Sequence, residues 1–274
     1  MNVIINKNKF IKIKQNASDI WSFFLDLIFP IECLGCGREG QWLCQTCFKK
    51  INLKAEQYCL HCKRGNDFGE FCSLCRVNYD LTGVWIASLY ENKLISKAIK
   101  SLKYYFASSL ADDLGKLLIF FVNNLINQGR ILKPDLKAGV GWQGLNRAEN
   151  LPLAILDFKA NLIIPVPLAK KRWRWRGFNQ AEILGKIFAG YYGLEINACD
   201  LVRIKHKKPQ VKLTEKNRLS NLKDCFVWRG GSLNKRNIIL LDDVVTTGAT
   251  LNECARVLRA NGAGEVWGLV VAKG

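Results

Sequence analysis

The segment Ile238–Thr250 constrains the fold of this chain most strongly, because it reads as a complete strand–loop–helix unit. Its first four residues are apolar, which is typical of a strand buried on both faces of a parallel sheet. Asp242 and Asp243 follow where that strand is expected to end, and small and hydroxyl residues then form a short loop. Thr250 and Glu253 have the spacing of a capping box, so Thr250 is expected to cap the following helix.

This unit predicts a phosphate site. A strand followed by a tight loop and a helix directs free backbone N–H groups and the positive end of the helix dipole to one point. Carboxylates beside that point repel phosphate, so they are expected to serve sugar hydroxyls or a metal ion. A phosphate cradle beside hydroxyl acceptors describes a site for ribose 5-phosphate. The alternative is an ordinary strand-to-helix turn with two solvated aspartates.

Eight of the 11 cysteines form four Cys-x-x-Cys pairs near the N-terminus. The pairs are Cys33/Cys36, Cys44/Cys47, Cys59/Cys62 and Cys72/Cys75. Two such pairs complete a tetrahedral zinc site with four thiolate ligands, so two structural zinc ions are predicted. Sequential pairing of the knuckles is favoured, and a cross-braced arrangement remains open. Disulfides are the less favoured alternative, because nothing in the sequence suggests export from the reducing cytosol.

Positive charge is concentrated in the middle of the chain. The formal net charge is +18, and residues 161–237 hold 17 Lys/Arg against 5 Asp/Glu. Such an excess implies polyanionic partners, either pyrophosphate or nucleic acid. The run Lys170–Arg176 alternates cations with tryptophan, so Trp173 and Trp175 share one face if the segment is extended. An exposed stacking face fits single-stranded nucleic acid, while a solvated basic loop and buried tryptophan packing are the alternatives. The candidate nucleic-acid-binding residues are Lys171, Arg172, Trp173, Arg174, Trp175 and Arg176.

The chain is long enough for one large domain or two unequal domains. We predict a loose extension over residues 1–20, a zinc module over 21–79 and an α/β domain over 80–274, with a long loop at 129–160. The apolar stretch Trp21–Ile31 is half the length of a membrane span, so neither an anchor nor a signal peptide is expected and a cytoplasmic location is predicted. Further predicted elements are strands at Gly83–Tyr90 and Leu162–Val166 and helices at Leu94–Leu102 and about 107–127. Another helix is predicted to open within Gly177–Ala181 and to run to about Tyr191.

Four motifs together resemble the ComF/GntX family of phosphoribosyltransferase-like proteins. They are the four cysteine pairs, a PVPL…R…RGFNQA run, a P-Q-x-x-L-x-x-x-x-R-x-x-N run and the sequence DDVVTTGAT. The resemblance covers about residues 27–272. The last motif alone resembles the loop of type I phosphoribosyltransferases that binds 5-phosphoribosyl 1-pyrophosphate (PRPP). The resemblance implies a type I phosphoribosyltransferase fold, a mainly parallel twisted sheet flanked by helices, behind a small N-terminal double zinc ribbon.

The resemblance also implies roles for individual residues. Asp242 and Asp243 become the candidate catalytic residues, which hold the ribose 2′ and 3′ hydroxyls. The 5-phosphate loop comprises Thr246, Thr247, Gly248, Ala249 and Thr250. The pyrophosphate loop comprises Pro167, Leu168, Lys170, Lys171 and Arg172. Gln210 and Arg218 belong to a flexible loop that closes over the ligand. The family also has a basic-aromatic element corresponding to Lys103-Tyr104-Tyr105, whose role is unclear.

Two functions are compatible with these residues. In one, the protein is a phosphoribosyltransferase of nucleotide or cofactor metabolism that binds Mg²⁺–PRPP and displaces pyrophosphate, and nothing in the sequence identifies the acceptor. In the other, which the resemblance connects with DNA uptake in natural transformation, the fold also handles single-stranded DNA. That role would bring the protein to the DNA-uptake machinery at the inner face of the membrane.

Overall fold

The computed structural model describes residues 31–54, 56–66, 68–104, 109–128, 161–204 and 222–274. The predicted N-terminal extension and the predicted 129–160 loop lie outside these residues. The chain divides into two compact units between Lys50 and Ile51. The first unit carries the first two cysteine pairs, and the second carries the other two pairs together with the main sheet. The predicted domain boundary at residues 79 and 80 stays a prediction.

The described residues form short elements around the cysteines and longer ones in the rest of the second unit. The strands are β1 (Gln57–Tyr58), β2 (Gly65–Asn66), β3 (Gly83–Leu89), β4 (Leu162–Pro165), β5 (Glu195–Ile196), β6 (Leu201–Arg203), β7 (Phe226–Trp228), β8 (Ile238–Val245) and β9 (Val266–Lys273). The helices are α1 (Gln45–Lys49), α2 (Ser73–Arg76), α3 (Lys93–Tyr104), α4 (Leu110–Asn127), α5 (Lys170–Arg176), α6 (Gln180–Tyr192) and α7 (Ala249–Ala260).

The main sheet has five strands in the order β3-β9-β8-β4-β5, and every pair of neighbours is parallel. The apolar run Ile238–Leu241 is buried in the central strand, as a strand covered on both faces requires. β6 and β7 form a separate antiparallel pair. This architecture confirms the predicted α/β fold, a parallel sheet flanked by helices with cysteine clusters before it.

The helical connections that follow β4 and β8 lead toward opposite edges of the sheet. α6 follows β4 and leads outward to β5, whereas α7 follows β8 and leads to β9 on the other side. Right-handed crossovers of this kind place the two helices on opposite faces of the sheet. A crevice therefore opens between the carboxyl ends of β4 and β8, the place where open α/β sheets bind ligands.

The second pair of cysteine knuckles is built into the sheet's own unit. The side-chain amide of Gln57 accepts a hydrogen bond from the backbone N–H of Ile86 and donates to the carbonyl of the same residue. The indole of Trp85 donates to the carbonyl of Phe68. Phe71 is buried in the same apolar cluster as the residues of β8 and α7. Hydrogen bonds between side chains and backbone groups therefore hold this ribbon to β3, in addition to apolar packing.

One local prediction was wrong, and one condition is not met. Lys170–Arg176 is helical, so the extended conformation in which Trp173 and Trp175 would share a face by alternation does not occur. α7 begins two residues earlier than expected, because Gly248 in the left-handed conformation (φ +78°) is its N-cap in place of Thr250. Glu253 consequently forms no capping box with Thr250 and instead accepts hydrogen bonds from outside the first turn.

None of the helices in the described part of the chain combines the length and the apolar character that a membrane span requires.

Candidate functional site

The two aspartates lie within the last part of β8 and not beyond it, since the strand continues to Val245. Backbone pairing with β4 also extends to this level, because the N–H of Val166 donates to the carbonyl of Leu241 at 2.9 Å. Asp242 and Asp243 therefore stand at the carboxyl edge of the sheet, beside the point where β4 ends. This is the crevice that the strand order creates.

Lys103 is the partner of the buried aspartate. Its ammonium, at the end of α3, lies 2.7 Å from Oδ2 of Asp243. The carboxylate side chain is 4% exposed and the lysine side chain 20% exposed, so the pair is largely shielded from water. The sequence contains Lys103 in a basic-aromatic element of unclear role, and no spacing connects position 103 with position 243. Lys103 is a site residue that sequence reasoning missed.

Asp242 is partly buried at the end of β8, where its negative charge is poorly stabilised. Burial, followed by repulsion from the Asp243 carboxylate, raises the pKa of Asp242 to about 8, although Lys103 opposes the shift. The backbone N–H of Asp243 donates to Oδ1 of Asp242 at 2.8 Å. A cation or a hydroxyl donor arriving at this pair would therefore stabilise a charge that the protein alone holds poorly.

The predicted phosphate loop forms the turn between β8 and α7. Thr246 is exposed, Thr247 and Thr250 are partly buried, and Gly248 and Ala249 are buried. The backbone N–H of Ala249 donates weakly to the Thr247 hydroxyl at 3.4 Å. The N–H groups of the first turn of α7 have no intrahelical acceptor, so the turn offers donors and a positive helix end to an anion.

Gly248 is in direct contact with the second cysteine cluster. A Cβ added at Gly248 would lie 2.6 Å from Cδ2 of Leu60, a residue between Cys59 and Cys62. Leu60 is 5% exposed. The left-handed φ favours glycine at position 248, and a Cβ there would also displace the Cδ2 methyl of Leu60.

The predicted pyrophosphate loop is a turn followed by a helix. Pro167 and Leu168 lie in the turn after β4, whereas Lys170, Lys171 and Arg172 lie in the first turn of α5. The cations Lys170, Lys171, Arg172 and Arg174 are all exposed. Trp173 and Trp175 are also exposed, at 52% and 53%, and Tyr104 approaches Trp175 with a ring-centroid distance of 5.7 Å.

Arg176 differs from the other cations of α5. It is 5% exposed, donates from Nη1 to the side chain of Gln180 at 2.9 Å, and lies over the ring of Tyr104 at 5.4 Å. Burial lowers the pKa of Arg176, while the charge of Asp243 raises it. Its assignment to the nucleic-acid surface stays a prediction, but its burial separates it from the exposed cations of α5, and it contributes positive charge beside the aspartates.

Gln210 and Arg218, the predicted flexible-loop residues, lie outside the described residues.

The eight paired cysteines gather into two groups of four. Cys33, Cys36, Cys44 and Cys47 form one group, and Cys59, Cys62, Cys72 and Cys75 form the other. Within each group the Sγ atoms lie within 4.8 Å of one another. This is the sequential pairing that the spacing favours and not the cross-braced alternative.

The surroundings of the thiols suit a cation. In the first group the backbone N–H of Cys44 donates to Sγ of Cys33 at 3.3 Å, which stabilises a thiolate. In the second group a backbone hydrogen bond from Cys75 lowers the pKa of Cys72 to about 7, whereas burial and then the neighbouring thiols raise the pKa of Cys75 to about 12. A divalent cation at the centre would allow all four sulfurs to ionise. Both groups therefore fit tetrahedral structural zinc.

Comparison with known proteins supports the zinc sites and the resemblance to the ComF family. A family model described as a double zinc ribbon domain matches residues 24–76. The chain is similar to "Competence protein F" of Haemophilus influenzae, with 38% identity over 144 residues, 48% of this chain and 62% of the relative. It is 34% identical over 124 residues to "DNA utilization protein YhgH" of Salmonella typhi, covering 44% of this chain and 51% of the relative. It is 38% identical over 102 residues to "Competence protein ComFC" of Bacillus subtilis, covering 37% and 39%.

These matches confirm the resemblance to the ComF family that the sequence motifs carry. Each alignment covers less than two thirds of the relative's length. The activity and the partners of the whole protein are therefore matters for proposal.

Proposed function

Because the chain is a relative of the ComF proteins, we propose that it binds Mg²⁺–PRPP in the crevice between β4 and β8 and handles single-stranded DNA during DNA uptake. The observation that carries the proposal is the juxtaposition at the end of β8. There a carboxylate pair adjoins a glycine-capped helix start, at the switch point of a parallel sheet. The names of the relatives, which refer to competence and DNA utilization, support the DNA-uptake role.

The ligand is divided between two sides of the crevice in this proposal. The 5-phosphate binds the turn from Thr246 to Thr250 and the N-terminus of α7, where backbone donors are available. The ribose 2′ and 3′ hydroxyls donate to Asp242 and Asp243. The pyrophosphate lies toward the turn after β4, close to Pro167 and the cations of α5.

Mg²⁺ bound with PRPP would offset part of the pyrophosphate charge, and it fits an oxygen-rich site beside two carboxylates. The residues of the chain supply the other charges at the site. Lys103 pairs with Asp243 at 2.7 Å, the Asp242 and Asp243 carboxylates face the sugar, and the buried Arg176 adds positive charge nearby. Such a site accelerates displacement at C1 of the ribose by positioning and electrostatics and needs no side-chain nucleophile.

Calorimetry with Mg²⁺–PRPP tests the binding proposal. Asp242→Asn together with Asp243→Asn should weaken binding by a few kcal/mol, since a hydrogen bond to a charged group contributes ~1.5–3 kcal/mol. The zinc content of the double variant serves as its folding control and should equal that of the wild type. Equal affinity of the two proteins for PRPP would refute the assignment of the aspartates.

A DNA role is favoured by the exposed surface of α5. Four exposed cations and two half-exposed tryptophans occupy seven consecutive residues, Lys170–Arg176, next to the proposed pyrophosphate position. Phosphate contacts with the cations and base stacking on the indoles are the two contributions expected for single-stranded nucleic acid. PRPP and DNA should therefore compete for the protein, and independent binding would move the DNA surface away from α5.

The alternative is an active phosphoribosyltransferase with an unknown acceptor and no DNA role. Release of pyrophosphate from PRPP in the presence of small acceptors, together with no DNA binding at low salt, would favour it over the main proposal.

A further inference from the structure

The second cysteine cluster and the proposed phosphate loop share a contact that neither predicted role requires. Leu60 lies inside the Cys59–Cys62 knuckle and reaches out of it to the backbone of Gly248. The approach is close enough that a Cβ at Gly248 would lie 2.6 Å from Cδ2 of Leu60 and would force the leucine side chain to shift. Gly248 is both the N-cap of α7 and the centre of the loop, so Leu60 packs against the turn that presents donors to phosphate.

The same ribbon is joined to α7 by hydrogen bonds. The side-chain oxygen of Asn252, in the first turn of α7, accepts from the backbone N–H groups of Asp80 and Leu81. One residue before the end of the helix, Arg259 donates from Nε to the carbonyl of Asp80. The segment that leaves the ribbon therefore fastens the helix along its length, while Leu60 supports its start.

The position of Leu60 depends on the geometry of the knuckle. Its two neighbouring ligands are separated by only two residues, and the turn is closed by the N–H of Lys63, which donates to the carbonyl of Cys59. Because Cys59 and Cys62 flank Leu60, a metal ion bound by these two thiols fixes the turn that carries the leucine side chain.

We propose that the second zinc site braces the phosphate loop, with Leu60 as the positioning residue, so that zinc at Cys59, Cys62, Cys72 and Cys75 and phosphoribosyl ligand at the loop stabilise each other. This inference rests on the proposed function, because the coupled ligand is PRPP. Coupling between two sites is reciprocal: each ligand raises the affinity for the other by the same factor. The first cluster lies in the other unit and supplies the internal control.

The chain offers a matched pair of variants. Leu34 follows Cys33 as Leu60 follows Cys59, so Leu34→Ala makes the same change in the first knuckle. We expect Leu60→Ala to keep both zinc ions and to weaken Mg²⁺–PRPP binding about 5-fold or more, the lower end of typical coupling. Leu34→Ala should bind as the wild type does, and the isosteric Leu60→Met should restore most of the affinity. Equal affinities of Leu60→Ala and Leu34→Ala would overturn the proposal.

A double-variant cycle tests the contact itself. Gly248→Ala brings both backbone strain and a clash with Leu60, whereas in the Leu60→Ala background only the strain remains. The fold-loss in PRPP affinity caused by Gly248→Ala should therefore be smaller in the Leu60→Ala background. An identical fold-loss in both backgrounds would show that Leu60 does not support the loop.

Zinc release supplies a readout independent of turnover. Transfer of zinc to a coloured chelator should be slowed by Mg²⁺–PRPP for one of the two ions. Protection should persist in Cys36→Ser, which leaves the second cluster intact, and vanish in Cys62→Ser. Wild-type protein that binds PRPP without any protection would overturn this inference alone, whereas wild-type protein that does not bind PRPP would overturn the proposed function as well.

Discussion

Replacing Lys103 should reveal how much its ammonium, as the partner of the buried Asp243 carboxylate, contributes to the stability of the fold. Lys103→Met keeps most of the apolar stem but removes the charge 2.7 Å from Asp243. The Asp243 carboxylate then remains buried, beside a second carboxylate, with no cation at hydrogen-bond distance among the described residues. Removing one partner of a buried ion pair typically costs about 3–5 kcal/mol. Because the lysine is 20% exposed, water screens part of the loss, and we expect a decrease of about 2–3 kcal/mol in the free energy of unfolding.

Urea unfolding of matched variants measures this cost. Lys116→Met is the control, because Lys116 is 56% exposed and lies 3.9 Å from Asp113 in an ordinary surface pair. Such a pair contributes ~0–1 kcal/mol. Asp243→Asn removes the charge that Lys103 serves, so Lys103→Met in that background should cost less than about 1 kcal/mol.

Two results would refute the reasoning. A cost for Lys103→Met no greater than that for Lys116→Met would mean that the buried pair is effectively solvated. The same cost with and without Asp243→Asn would mean that Lys103 acts through packing of its stem and not through its charge.

Three further predictions concern the metals, the titration of the site and the DNA surface. Purified, unchelated protein should carry two zinc ions by elemental analysis, and Cys59→Ser should carry one; a wild-type content of one or none would contradict two structural sites. Because the pKa of Asp242 is raised from 3.8 to about 8, the folded chain holds a proton that the unfolded chain releases, so stability should fall as pH rises from about 4 to about 8, and Asp242→Asn should flatten this fall in urea unfolding. Parallel pH profiles of the two proteins would contradict the shift. On single-stranded DNA, Arg174→Ala should flatten the salt dependence of affinity by about 0.7 in slope, whereas Trp173→Ala should lower affinity by ~1–3 kcal/mol at unchanged slope; identical effects of the two changes would argue against separate phosphate and stacking contacts.

Predictions from local sequence succeeded where the physical cause is itself local. Two knuckles a few residues apart can meet around one ion without help from the rest of the chain, so the grouping of the cysteines follows from spacing. The buried strand at Ile238–Leu241 and the helix after it follow from apolar pattern and glycine placement. The error lies at a junction: a glycine cap at Gly248 replaces the predicted capping box at Thr250. The shared face of Trp173 and Trp175 depended on an extended segment, and Lys170–Arg176 is a helix.

The sequence by itself determined the parts of the site that lie within one stretch: the aspartate pair, the turn to α7 and the thiol groups. Only the tertiary structure decided which distant residues meet them. Lys103 contacts Asp243, and Leu60 contacts Gly248, because the fold brings the end of α3 and the second cysteine knuckle to the carboxyl end of β8. The tertiary structure also buries Arg176 beside the aspartates, whereas its neighbours in α5 are exposed. The reason is that charge pairing and burial depend on distance in space, and a pattern of residue types along the chain contains no information on the distance between positions 103 and 243.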